Sequence, residues 1–476
     1  MAVYNLTRAG LDAFLAGQGS GTPTQPEAQA FLNALTGGGG DDINIETGNP
    51  VVVTTTVNAP VVIATSTLGL DLTVFGTAST VITSNGNDTV KLYGAGADTL
   101  YSGAGADTII GGAGGDSILS GSGDDTIYLA GDGTTANGGD GSDVIINYAG
   151  VGDTLLGGAG DDFIISNTGG VLDGGVGDDI LFNLGGAGAS LSGGAGSDTL
   201  FSYASATLDG GAGDDRLTAV GTGPMTMIGG SGDDIIDGTY NTGHNLIDAG
   251  TGSDTIYAGS FDTVIAGAGD DVGGAYGSNI TFDGGDGNDV FFDLSNGGNS
   301  SISGGAGADQ LVAGFNAVND TLSGGEGNDI LFAFTTATLN GDDGVDLLQS
   351  YGSGPSTLNG GAGDDTLIAL SSTSGSVFDG GSGNDNIYAG FGNDSITGGI
   401  GDDTIFFQNG LFSNDTIVAG DGTDTLRAIG ATSANTSVVD NLNGTFTINF
   451  AGPNVGSTQV TGLEWLALDD TFVRIS

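Results

Sequence analysis

Nineteen aspartates recur along the chain at a mean spacing of about 18.7 residues: Asp88, Asp107, Asp125, Asp143, Asp162, Asp179, Asp198, Asp215, Asp234, Asp254, Asp271, Asp289, Asp309, Asp329, Asp346, Asp365, Asp385, Asp403 and Asp424. Most close a glycine-rich hexapeptide, as in Gly157-Gly158-Ala159-Gly160-Asp161-Asp162, which Phe163-Ile164-Ile165 follows. A second series, offset by half a period, is legible only near the ends, as Asp98 and Asp116 early and Asp394 and Asp415 late. Such a turn offers one carboxylate and several peptide carbonyls, a donor set for a hard multivalent cation. Adjacent acids such as Asp161-Asp162 also suit a glycosidase dyad. Here they recur inside the turns, which ties them to ligation instead.

The composition points the same way. The 476 residues include 58 acids and 5 bases, for a formal charge of -53. Only Glu27, Glu46, Glu326 and Glu464 are glutamates; the other 54 acids are aspartates. Charge alone would be served by either residue, whereas ligation inside tight turns favours the shorter one. Nucleic acids and anionic membranes are poor partners, since both need Lys and Arg to neutralise phosphate. Without cysteine there is no disulfide or thiolate chemistry. At 38% hydrophobic residues and a mean hydropathy of +0.11, the chain is too apolar for a disordered acidic tail. Its five bases cannot neutralise the charge, so a multivalent cation is the first suspect.

The frame Gly-Gly-x-Gly-x-Asp-x-U-x, with U a large aliphatic residue, recurs roughly twenty times, for example at Gly193-Gly194-Ala195-Gly196-Ser197-Asp198 and Gly284-Gly285-Asp286-Gly287-Asn288-Asp289. Over about 340 residues it resembles the calcium-binding nonapeptide of repeats-in-toxin (RTX) proteins. Four turns depart from it. Asp271 has Ala266-Gly267, Asp346 follows Gly341-Asp342-Asp343-Gly344, Asp88 lacks the glycine pair, and Asp415 lacks flanking glycines. The resemblance implies calcium held between stacked turns, with the final Asp of each contributing its carboxylate. One turn is half a site, and the turn about 18 residues on completes it. Ligation thus falls to the first series from Asp107 to Asp424, and to Asp98, Asp116 and Asp394 on the opposite edge. Roughly twenty ions would bring about +40 and leave a net charge near -13.

The elements that must position these turns form an all-β parallel β-roll over residues 87–430. Each coil is a turn, a strand, a second turn and a return strand. Glycine permits left-handed angles and close stacking. Ile109, Ile127, Ile164, Leu200, Ile256, Leu331, Leu367 and Ile405, two after the Asp, face the core. Leu191, Leu322 and Leu358 face it from the other sheet. The residue three after the Asp faces outward. It is aromatic at Tyr128, Phe182, Phe201, Tyr257, Phe292, Phe332, Tyr388 and Phe406, and aliphatic at Ile110, Ile146, Ile165, Val312 and Ile368. Such a column serves either as an interface or merely as good strand formers.

Residues 1–36 show the spacing of two short amphipathic helices, through Leu6, Leu11, Phe14, Leu15, Phe31, Leu32 and Leu35. Residues 37–86 read as irregular solenoid coils. Residues 431–476 read as a β-rich C-terminal cap, resembling the uncleaved secretion signal of RTX proteins, with Trp465 in its core. The N-terminus lacks the pattern of a secretory signal peptide, and no stretch reaches roughly 18 apolar residues.

No His-Glu-x-x-His, Gly-x-Ser-x-Gly or Walker motif occurs, and His244 is a lone loop residue. The expected protein is not an enzyme. It is a secreted structural protein, exported by a type I route, that folds on calcium and self-assembles at the cell surface as a surface layer or matrix. A polysaccharide-binding adhesin module is the alternative.

Overall fold

The computed structural model describes residues 43–46, 51–54, 61–64, 69–76, 78–83, 85–407, 414–451 and 456–475. The two helices expected within residues 1–36 lie outside them. Every regular element among the described residues is a β-strand. None of these residues forms a helix long and apolar enough to cross a membrane. The chain divides into two compact units, Met1–Ser231 and Gly232–Ser476.

In the first unit, one coil runs from Asp143 through a front strand, Val144–Asn147, a half-period turn and a back strand, Thr154–Ala159, to the next regular turn at Asp162. Each strand pairs in parallel with its counterpart one coil away. Ile127, Ile145, Ile164, Leu181 and Leu200 therefore lie side by side in the front sheet. Ala136, Leu155, Leu172, Leu191 and Leu208 do so in the back sheet. All ten are fully buried. The two sheets face one another across this thin core, which a period-two alternation fills from both sides. The fragments near the N-terminus follow the same rule, Ile43 pairing with Val61 and Val51 with Leu72.

The second unit repeats the plan. Phe291, Leu311, Leu331, Leu348, Leu367, Ile387 and Ile405 align in its front sheet. Gly273 sits in this apolar column because a side chain there would strike the rings of Phe282 and Phe291, which pack 4.1 Å apart. The end of the unit departs from parallel pairing. Thr436–Asp440, Thr445–Phe450 and Gly456–Thr461 form an antiparallel meander. Its last strand joins the back sheet, and Trp465–Leu468 joins the front sheet. Leu466 takes the core position there, whereas Trp465, expected in the core, is only half-buried.

The outward faces differ in character. On the front sheet of the first unit, Ile110, Tyr128, Ile146, Ile165, Phe182 and Phe201 stack coil on coil. The rings of Phe182 and Phe201 lie 5.7 Å apart, and Tyr203 sits 4.9 Å from Phe201. In the second unit Tyr388 and Phe406 stack at 4.4 Å. The back sheets instead carry hydroxyl columns, Ser117, Thr135 and Thr154 in the first unit and Thr281, Ser301, Thr321 and Thr338 in the second.

Candidate metal centres

The regular turns are built by glycines at positions where a side chain is strained or crowded. Gly139 (φ 108°) and Gly158 (φ 124°) hold left-handed angles, and a methyl group on either would overlap the carbonyl oxygen one coil earlier. The first glycine of the pair is constrained differently. A methyl on Gly157 would strike Asp162 Oδ2 and the Gly174 carbonyl oxygen. Bare backbone thus lets carbonyls and carboxylates of stacked turns crowd together. Asp342, which replaces the second glycine before Asp346, also takes a positive φ, 72°.

Within this cradle the final aspartates form a ladder. The Asp107 amide donates to Asp125 Oδ1 at 2.7 Å, Asp125 to Asp143, Asp143 to Asp162, Asp162 to Asp179, Asp179 to Asp198 and Asp198 to Asp215. In the second unit the ladder runs from Asp234 through Asp254, Asp271, Asp289, Asp309, Asp329, Asp346, Asp365, Asp385 and Asp403 to Asp424, every step 2.7–2.9 Å. These carboxylates are at most 2% exposed. Asp271 and Asp346, in departing turns, hold the same place. Asp88, outside the expected ligand set, begins the first unit's ladder, donating to Asp107 at 2.7 Å. Glu464 Oε2 ends the second unit's ladder by accepting the Asp424 amide at 2.8 Å.

The other carboxylate oxygen is left over. Oδ2 of Asp107, Asp125, Asp143, Asp162, Asp179 and Asp198 is buried without any hydrogen-bond partner, as is that of Asp254, Asp271, Asp289, Asp309, Asp329, Asp346, Asp365, Asp385, Asp403 and Asp424. A buried unpaired charge is costly, and no hydrogen bond from Lys or Arg relieves these. Burial above all, and then the charges of stacked neighbours, push Asp125, Asp162 and Asp179 up to about 7. The same causes act on Asp271, Asp329, Asp365 and Asp403, also to about 7. In each case the backbone amide opposes the shift.

The opposite edge carries a second column. The Asp98 amide donates to Asp116 Oδ1, and the Asp394 amide to Asp415 Oδ1, both at 2.9 Å. The sequence places carboxylates here only near the ends, but three more occupy the middle. Asp153 accepts the Thr134 amide, Asp262 the Asn245 amide and Asp320 the Ser300 amide. Hydroxyls fill other positions, as where Thr134 Oγ1 accepts the Asp116 amide. His244 stacks against Phe261 at 4.9 Å, both at positive φ.

Among the described residues, no three Asp, Glu or His side chains converge enough to hold a metal ion by themselves. Peptide carbonyls, which the glycine turns crowd beside these carboxylates, are the further oxygens the chain offers. Orphaned carboxylate oxygens, carbonyls and no soft ligand together fit calcium, which takes about 6–8 oxygens.

The fold and these turns define a parallel β-solenoid with buried carboxylates stacked along its edges. The family model for the RTX calcium-binding nonapeptide repeat matches residues 92–127, 150–170, 184–217, 239–272, 294–317, 316–333, 340–371, 379–411 and 409–428, slightly more than half of the chain. The chain belongs to this family and is a calcium-binding β-roll protein. No curated protein matches it.

Proposed function

We propose that this is a secreted structural protein that folds outside the cell as calcium fills its turns, then assembles on the cell surface. In this reading the calcium ligands are the final aspartates from Asp107 to Asp424, with Asp98, Asp116 and Asp394 on the opposite edge, each aided by peptide carbonyls. The buried, partnerless Oδ2 oxygens carry the reading. Without a cation they make the coil column self-repelling, so folding and metal binding are one event. Extracellular calcium modules bind with dissociation constants of about 10⁻⁴–10⁻³ M, which leaves them empty in the cytosol and filled outside. That threshold suits a one-step export of the unfolded chain.

Assembly is supported by the contrast between the faces. The front sheets present stacked apolar rings and the back sheets present hydroxyls, so one side is suited to bury against another copy. Circular dichroism with and without chelator tests the folding step, and an unchanged β spectrum in chelator would exclude it. Electron microscopy after calcium addition tests the second step, with ordered sheets or filaments expected.

A specific feature favours the adhesin reading as a second possibility. Tyr240, Tyr257 and Tyr276 line an open groove of about 510 Å³ with Asp237 and Thr239. Exposed rings beside a carboxylate suit a sugar ring. Dispersed monomers retained on a glycan array would favour this reading over assembly.

A further inference from the structure

A regular site needs carboxylates on two stacked turns, and Asp320, like Asp153 and Asp262 on the opposite edge, lacks that neighbour. Asp320 is 1% exposed, and its Oδ1 accepts the Ser300 amide at 2.9 Å. The residues at its own position one coil before and one coil after are Ser300 and Ala337, neither of them an acid. Its Oδ2 nevertheless has no hydrogen-bond partner.

A second buried carboxylate, outside the repeat frame, belongs to the same coil as Ser300, on whose amide Asp320 Oδ1 rests. Asp293 is the last residue of the front strand Val290–Asp293 and points inward. Its register neighbours on either side are Ala275 and Ala313, so it stands alone as an acid in an alanine column. It is 0% exposed. Its Oδ1 accepts the Ser295 amide at 2.8 Å, and its Oδ2 is buried and partnerless. The charge of Asp293 is near enough to help raise Asp320, which burial, the larger cause, pushes up to about 6 against the Ser300 amide. No Lys or Arg hydrogen-bonds to either carboxylate.

Two buried like charges that act on one another destabilise the fold unless something positive offsets them. We infer that Asp293 and Asp320 hold one further calcium ion on the opposite edge of the second unit, with Asp293 standing in for the stacked-turn carboxylate that Ser300 and Ala337 do not supply. The buried hydroxyls of Ser295 and Ser300 are the neutral side-chain oxygens available in the same turn. The ion ties the front strand to the turn that follows it one coil later.

The inference rests on the calcium reading of the repeats, and native mass spectrometry of the full chain at saturating calcium separates the two. The unmodified protein should carry its repeat ions plus this one. Asp293→Ala, which matches its alanine neighbours, should fold and carry one calcium fewer. Asp320→Ser, which matches Ser300, should lose the same single ion. Combining the two changes should cost no second ion. An unchanged count in either folded variant overturns the inference while leaving the repeats intact. Absence of calcium from the unmodified protein overturns the repeat reading itself. Failure of both variants to fold also counts against the inference, which assigns one ion among many to this pair.

Discussion

At the scale of single residues, the decisive atoms are the two oxygens of one carboxylate. Oδ1 of Asp162 is occupied by a neighbouring amide, and Oδ2 is held against Gly157, buried and unsatisfied. The first oxygen builds the coil stack, and the second is the one the proposed reading gives to the ion. Gly157→Ala should therefore disturb both, because its methyl must displace Oδ2 and the Gly174 carbonyl. The expected loss is about 1–3 kcal/mol, read as a lower thermal midpoint and a higher calcium requirement for the β spectrum. Unchanged values would mean that the cradle is looser than its geometry. The first-edge aspartates were legible because glycine pairs announce them. Asp262 and Asp320 were not, because Phe261 and Asn319 at positive φ (65° and 61°) close their turns in place of glycine; Asp153 follows Gly152 (φ 74°) but lacks the glycine pair of the repeat frame. Asp293 was hidden for another reason. An aspartate in a strand reads as a solvent-facing residue, and only the register puts it among alanines.

At the scale of the strand, position within the pleat decides what a substitution does. Ile164 is fully buried between sheets, so Ile164→Ala should cost about 2–5 kcal/mol in denaturant unfolding at saturating calcium. Phe201 and Phe292 face outward, Phe292 at 38% exposure. Replacing both with Ser should leave calcium-induced folding in place, with a change near 1 kcal/mol from lost ring contacts, yet abolish sheets or filaments under the electron microscope. If folding is lost instead, the rings belong to the structural core and the interface reading fails. The period-two pattern made both classes legible in the sequence. The hydroxyl column of the back sheet is not legible there, because Thr135 or Thr154 alone looks like ordinary strand composition; only parallel register turns them into a face. The meander at the end of the second unit escaped prediction in detail because its strands obey no repeat.

At the scale of the whole molecule, the balance is between metal ions and protons. Many buried aspartates have folded-state pKa values raised to about 6–7, above the ordinary 3.8. A raised carboxyl stabilises the fold while protonated. That contribution is complete below the unfolded value and disappears as pH rises through the folded one. In chelator, the β spectrum should therefore appear on acidification from pH 8 toward pH 5 and vanish again above about pH 7. A chelated chain that stays unfolded at pH 5 would show that protons cannot replace calcium. With calcium present the dependence should reverse if, as proposed, ions and protons compete for the same Oδ2 atoms, and apparent affinity should then rise with pH.

The rung between Asp424 and Glu464 has a consequence for length. Each aspartate in the ladder is completed by a residue one coil further along, so the end of the ladder needs only a single acceptor of the right reach. Glu464, 40 residues beyond Asp424, supplies it from the cap rather than from another turn. Coil number and termination are thereby separate variables. A gene can gain or lose whole coils by recombination between similar repeats and still hand its last rung to the same glutamate.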